Sequence, residues 1–214
     1  MSGIEGARRI NTNYGMPVFS RIEIRDISIA VIVLTIAFTL IFRRYVVFSN
    51  DPTTNLMCWV ATSFVLVIMS FILHEFGHKF TAQRFGAWSE FRVYPTGLIL
   101  CLVMSVFGFL FAAPGAVYIR GYITDEMNGK ISLAGPAVNI VIAAISLSIS
   151  LWMMDGISGY IFFLMGYMNS FLALFNLLPI PPLDGSKIMV WNVYIYVAML
   201  IIAGLLLVAT YIIW

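Results

Sequence analysis

Six apolar runs, at roughly 27–42, 56–73 (continuing towards 83), 96–119, 131–154, 157–183 and 188–214, take up most of this 214-residue chain. A helix that crosses a bilayer needs about 20 predominantly apolar residues, and little sequence remains for anything else. The connectors are short: Arg43 to Asn55, Arg84 to Tyr94, Arg120 to Lys130, and the residues around Asp155. Hydrophobic residues make up 61% of the chain and charged residues 10%, where soluble domains average about 45–50% and about 25%. No stretch is long and polar enough to form a soluble domain of its own. The pattern predicts an all-α polytopic membrane protein, a single membrane-embedded domain over 1–214. Residues 1–26 read as a polar juxtamembrane arm, without the apolar core of a signal peptide. Residues 191–214 read as a C-terminal transmembrane helix. The basic residues are scattered and suggest no nucleic-acid partner; Cys58 and Cys101 read as small buried hydrophobes.

The run 96–119 is the ambiguous one. It is long enough to span, yet it enters through Pro95 and Gly97, carries Gly108 and leaves through Pro114-Gly115. Lys/Arg asymmetry separates the two topologies. If the run dips in and returns, ten Lys/Arg lie on the side of the N-terminus and only Arg43 and Arg44 on the other. If it crosses, the division is seven to five. The positive-inside rule favours the re-entrant path, with the N-terminus cytoplasmic and about five transmembrane helices. Re-entrant backbone is tolerated where protein covers it or it lines a wet cavity, so such an insertion belongs beside a site.

At the inner end of the second helix stands His74-Glu75-Phe76-Gly77-His78. Helical positions i and i+4 share a face, so both imidazoles can meet one metal ion. Glu75 is offset from that row by one residue, within reach of the attacking water as a general base. These are the only two histidines in the chain, and they follow eighteen nearly unbroken apolar residues. Ionisable groups at membrane depth are expensive and functional by default.

A catalytic zinc normally takes three protein ligands. With no third histidine the remaining ligand must be a carboxylate or a cysteine. Most acidic residues sit in the polar connectors or the N-terminal arm, where a carboxylate is solvated. Glu90 competes on proximity, but its WSEFR setting reads as interfacial. Asp184 differs: it follows an apolar helix and is held in a Pro-rich turn, PIPPLDG. It reaches the side of His78 only if 96–119 does not cross the membrane.

HEFGH on one membrane helix, followed by AGPAVN (134–139) and NLLPIPPLDG (176–185), resembles the site-2 protease family of intramembrane zinc metalloproteases. The likeness covers roughly 56–190, the expected catalytic core. The resemblance implies one Zn2+ per chain held by His74, His78 and Asp184, with Glu75 as the base. It implies hydrolysis of peptide bonds in or near transmembrane segments of membrane-protein substrates, at a site towards the cytoplasm. It also implies a membrane-embedded β-rich stretch, which 91–119 would supply, in a compact core without a PDZ or CBS domain. A strand edge offered by the re-entrant region 91–119 is the expected docking place for an unwound substrate, with alternate positions of 91–95 the place to test it.

Asn139 and Asn176 are polar residues in apolar helices. Either can donate to the oxyanion or to a substrate backbone; interhelical hydrogen bonding accounts for them equally well. Lys79 and Arg84 are expected to snorkel to the interface. A zinc transporter or sensor is the rival from another class, but it would carry acidic or His residues along several helices. A catalytically dead scaffold would lack Glu75.

Overall fold

The computed structural model describes residues 19–44, 47–109, 114–153 and 156–213. The N-terminal arm up to residue 18, and Asp155, lie outside them. In chain order the elements are α1 (Arg21–Phe42), α2 (Pro52–Val67), a π-helical turn (Ile68–Ile72), α3 (Leu73–Arg84), β1 (Trp88–Val93) and α4 (Pro95–Val106). Then come β2 (Gly115–Arg120), α5 (Asp125–Trp152), α6 (Ile157–Asn176), α7 (Asp184–Trp191) and α8 (Val193–Ile213). α2, the π turn and α3 run on as one rod of 33 residues, about 50 Å at 1.5 Å per residue. This rod and α1, α5, α6 and α8 are the five described helices long and apolar enough to cross a membrane. The chain is a multi-pass, all-α membrane protein with one small sheet.

Local sequence explains where the helices begin. Ser20 Oγ accepts the Glu23 N–H at the start of α1. Asp51 caps α2 through the Thr54 N–H, with Pro52 in the first turn; a proline costs nothing there because that N–H has no helical partner. Thr124 caps α5, and Asp125 and Glu126 stand at the positive end of its dipole. Asn192 adopts an extended conformation between α7 and α8, and its side chain accepts from Tyr194 and Ile195. The expected last transmembrane helix therefore starts at Val193.

The polar arm is shorter than the sequence suggests. α1 begins at Arg21, so residues 21–26 are helical, and Glu23 and Asp26 are buried rather than solvated. Hydropathy misses this turn because its carboxylates have partners elsewhere in the fold.

The run 96–119 goes in and comes back. β1 and β2 are antiparallel, with Val93 opposite Gly115 and Trp88 opposite Arg120, so the chain returns to where it left. α4 has 12 residues, about 18 Å, against a hydrocarbon core of about 30 Å. The excursion packs against α1, and Arg44 at the end of α1 donates to the Val106 carbonyl of α4.

Two apolar clusters hold the bundle. One joins α1, α2, the π turn and α6 around Leu34, Phe38, Trp59, Leu66 and Met168. The other joins α6 to α7 and α8 around Leu177, Ile188 and Tyr196. α5 packs against α3, α6 and α7 and so forms the wall on which the site is built.

Candidate metal centre and active site

His74 and His78 lie one turn apart on α3, and their Nε2 atoms are 3.0 Å from each other. Asp184, the first residue of α7, brings Oδ2 to 3.2 Å from His78 Nε2 and 3.6 Å from His74 Nε2. All three side chains are buried, and they form a group of donors suited to a metal ion. Zinc donors about 2.1 Å from a tetrahedral ion stand about 3.4 Å from one another. The three observed separations bracket that value, so the residues fit zinc.

The far side of each imidazole decides which nitrogen is free. His78 Nδ1 is 2.8 Å from the Ile131 carbonyl oxygen. A carbonyl only accepts, so Nδ1 carries the proton and Nε2 presents its lone pair to the ion. His74 Nδ1 is 2.5 Å from Asn139 Oδ1. The amide is oriented by its other end: Asn139 Nδ2 donates to the Ser70 carbonyl at 2.8 Å and to Asn169 Oδ1 at 2.7 Å. Asn169 in turn donates to Ser70 Oγ and the Met165 carbonyl. Buried partners of this kind fix the tautomer and ring plane of a ligating histidine.

These bonds give Asn139 the second of its two readings, interhelical hydrogen bonding. Both of its N–H groups are engaged and the residue is fully buried, so it has no donor left for an oxyanion. It orients His74 instead. Asn176, at the end of α6, is partly buried and donates one N–H to the Leu172 carbonyl, within its own helix.

Glycines let α5 reach the histidines. A Cβ on Gly135 would press on His78 Nε2 and on His74 Cε1, and one on Gly77 would lie 2.9 Å from the Ala134 carbonyl oxygen. Pro136 lies inside α5 and withdraws the N–H that would pair with the Ser132 carbonyl four residues back, next to the Ile131 carbonyl that meets His78.

Asp184 is positioned by the turn that ends α6. Gly185 sits against the Leu177 and Leu178 carbonyls, with no room for a side chain. Burial works to raise the Asp184 pKa, but the two imidazoles beside it outweigh that effect. The carboxyl is held below its ordinary range and is ionised, as an anionic ligand must be. Its other oxygen, Oδ1, lies 3.6 Å from Lys187 Nζ.

Glu75 is buried on the adjoining face of α3 and accepts the Val117 N–H of β2 at 3.1 Å. Val117 is opposite Phe91. Since its N–H points to Glu75 and the Phe91 N–H points to Glu23, the two form a non-hydrogen-bonded pair. The groups of residues 115, 117 and 119 therefore face away from β1, along the outer edge of β2. On β1 the outward groups already have partners: Phe91 N–H with Glu23, Val93 N–H with Asp26, and the Ser89 carbonyl with Lys79. Of the strand edges within 91–119, that of β1 is thus covered by α1, which leaves the outer edge of β2, where the Val117 N–H is taken by Glu75.

Other side chains depart from the sequence reading. Lys79 does not snorkel; it is fully buried with its Nζ 2.7 Å from Glu23. Glu90 is buried as well, accepting from Ser20 and paired with Arg92. Asn169 and Ser70 were legible by the argument that singled out Asn139, since each is polar within an apolar helix. Lys187 carried no such signal.

Among curated proteins, the chain is 40% identical over 181 residues to MJ0611 of Methanocaldococcus jannaschii, provisionally named a zinc metalloprotease. That match covers 83% of this chain and 88% of MJ0611. It is 38% identical over 147 residues to Rip2 of Mycolicibacterium smegmatis, also provisionally named a zinc metalloprotease, covering 57% of this chain and 55% of Rip2. It is 29% identical over 168 residues to the zinc metalloprotease MJ0392 of Methanocaldococcus jannaschii, covering 78% of this chain and 44% of MJ0392. The chain thus spans most of MJ0611 and about half the length of the other two. No family model and no solved structure matches it. With a relative of that identity matched along most of its length, and a buried His74–His78–Asp184 group that fits the metal, the chain belongs to the site-2 protease family of zinc metalloproteases.

Proposed function

We propose that this protein is a zinc-dependent intramembrane endopeptidase that cleaves peptide bonds in or near transmembrane segments of membrane-protein substrates. The observation that carries the reading is the position of Glu75, buried one residue from a metal ligand and hydrogen-bonded to the outer edge of β2. A transporter has no use for a carboxylate held between a metal group and a strand edge. A protease needs one there.

His74, His78 and Asp184 would hold the ion. When bound, zinc polarises the scissile carbonyl and makes water acidic enough to attack near neutral pH. Glu75 takes the proton of that water and passes it to the leaving nitrogen. A helical substrate carbonyl is already hydrogen-bonded, so the scissile segment must first unwind. The outward groups of Gly115 and Ile119 and the Val117 carbonyl, whose own N–H is taken by Glu75, offer it new backbone partners, in the manner of strand addition. Asn176, with one N–H uncommitted to Leu172, is our candidate donor to the developing oxyanion.

We also propose that the N-terminus and the site lie towards the cytoplasm. The re-entrant excursion supports this, because it leaves ten of the twelve Lys/Arg on that side.

The deciding experiment compares purified wild type with Glu75→Gln in liposomes carrying a model transmembrane substrate, measuring zinc content and cleavage together. We expect the variant to hold one zinc and to lose on the order of 10²–10⁴-fold in rate. Equal cleavage by both proteins would remove Glu75 as the base.

A further inference from the structure

The face of α3 beside the ligand row carries a second buried device. Lys79 follows Glu75 by one turn on that face. Its ammonium is 2.8 and 2.7 Å from the two carboxylate oxygens of Glu23 and 3.1 Å from the Ser89 carbonyl oxygen. Ser89 Oγ completes the link by donating to the Lys79 carbonyl at 3.0 Å. Glu23 Oε1 also accepts the Phe91 N–H at 2.9 Å. The side chains of Lys79 and Glu23 are both fully buried.

Removing two charges from water is unfavourable, and an apolar pair of similar volume often stabilises a protein as well or better. What an ion pair adds is direction. Here it joins three elements: the start of α1, the site helix α3 and strand β1. The opposite strand is tied to the same helix one turn earlier, because Val117 faces Phe91 across the hairpin and donates to Glu75.

We propose that the Glu23–Lys79 pair positions the hairpin: it docks β1 against α3 and thereby sets the open edge of β2 at Glu75, where the substrate strand lies. This rests on our reading of Glu75 as the base and β2 as the receiving edge. The pair touches none of the three metal ligands. His74 and His78 are oriented from α5 and Asp184 from α7, so the pair governs cleavage without governing metal binding.

The test uses the full chain in liposomes, with Glu23→Gln, Lys79→Met and the double variant Glu23→Gln/Lys79→Gln. Three quantities are read: zinc per chain, cleavage rate per zinc-loaded chain, and amide hydrogen exchange in peptides covering 88–93 and 115–120. Each single variant should keep its zinc, cleave at least tenfold more slowly per zinc, and exchange faster in both strands but not in α5. The double variant leaves neither charge unpaired and keeps an acceptor for the Phe91 N–H, so it should be faster than either single one. Singles that cleave like wild type per zinc would overturn the proposal. So would loss of zinc in step with activity, since that marks a general structural role. Unchanged exchange in the hairpin overturns the docking itself, whereas cleavage by Glu75→Gln, or none by wild type, overturns the underlying reading and leaves the exchange result standing.

Discussion

Asn139 Oδ1 lies 2.5 Å from His74 Nδ1, so a side chain of α5 decides which nitrogen of a residue on α3 can bind metal. Replacing it should weaken the metal without touching a ligand. Asn139→Ala is expected to lower zinc affinity by about 10–100-fold, read by competition against a chromophoric chelator. Asn169→Ala removes only one of the bonds that orient Asn139 and should have a smaller effect in the same direction. Equal affinity in Asn139→Ala would show that the ring is held by packing alone.

Gly135 stands where any side chain would meet both imidazoles. Gly135→Ala should therefore displace the histidines or push α5 away from α3. Overpacking of this kind costs about 1–3 kcal/mol. A lower thermal midpoint together with substoichiometric zinc is the expected result, while a fully loaded, equally stable variant would mean that α5 shifts freely.

Metal should also stabilise the fold, since its ligands come from two separate elements, α3 and α7. Stripping zinc with a chelator should lower the unfolding midpoint, and restoring zinc should raise it with the logarithm of free zinc above its Kd. Asp184→Asn, lacking the anionic ligand, should show little of this response. Acidification should release the metal, because protons compete with it for its ligands. An unfolding midpoint indifferent to zinc in wild type would argue against the three-residue group as its site.

The outer edge of β2 makes a directional prediction. Val117→Pro deletes the N–H that points at Glu75, at a strand edge where proline is structurally tolerated. Cleavage of the model substrate should fall by at least tenfold with zinc retained. Unimpaired cleavage would count against the positioning of Glu75 by β2.

Much of this was legible because a membrane makes polar residues conspicuous. The histidines, Asp184 and Asn139 each interrupt an apolar run, and each proves to belong to one polar cluster. The charge count even foretold the return of 96–119. What hydropathy could not give was pairing. Glu23, Asp26 and Lys79 read as solvated because each sits in polar local sequence, yet Glu23 and Lys79 are buried against one another from positions 56 residues apart. Asn139 was visible as a polar residue, but its role depended on Ser70 and Asn169 occupying its donors. Which strand of 91–119 carries the open edge was hidden for the same reason, since only the fold shows that α1 already covers β1.

The π-helical turn at Ile68–Ile72 divides the long rod into a half that tolerates a change of length and a half that does not. Each residue turns an α-helix by about 100°, and a π turn is a place where one extra residue is taken up locally. A residue gained or lost in α2 can be absorbed there without turning the histidines, although it turns Trp59 and Leu66 on the buried face of α2. One gained or lost between Leu73 and His78 has nowhere to go. It would swing one histidine a quarter-turn away from Asp184, so a change of length is compatible with the metal group only on the side remote from the chemistry.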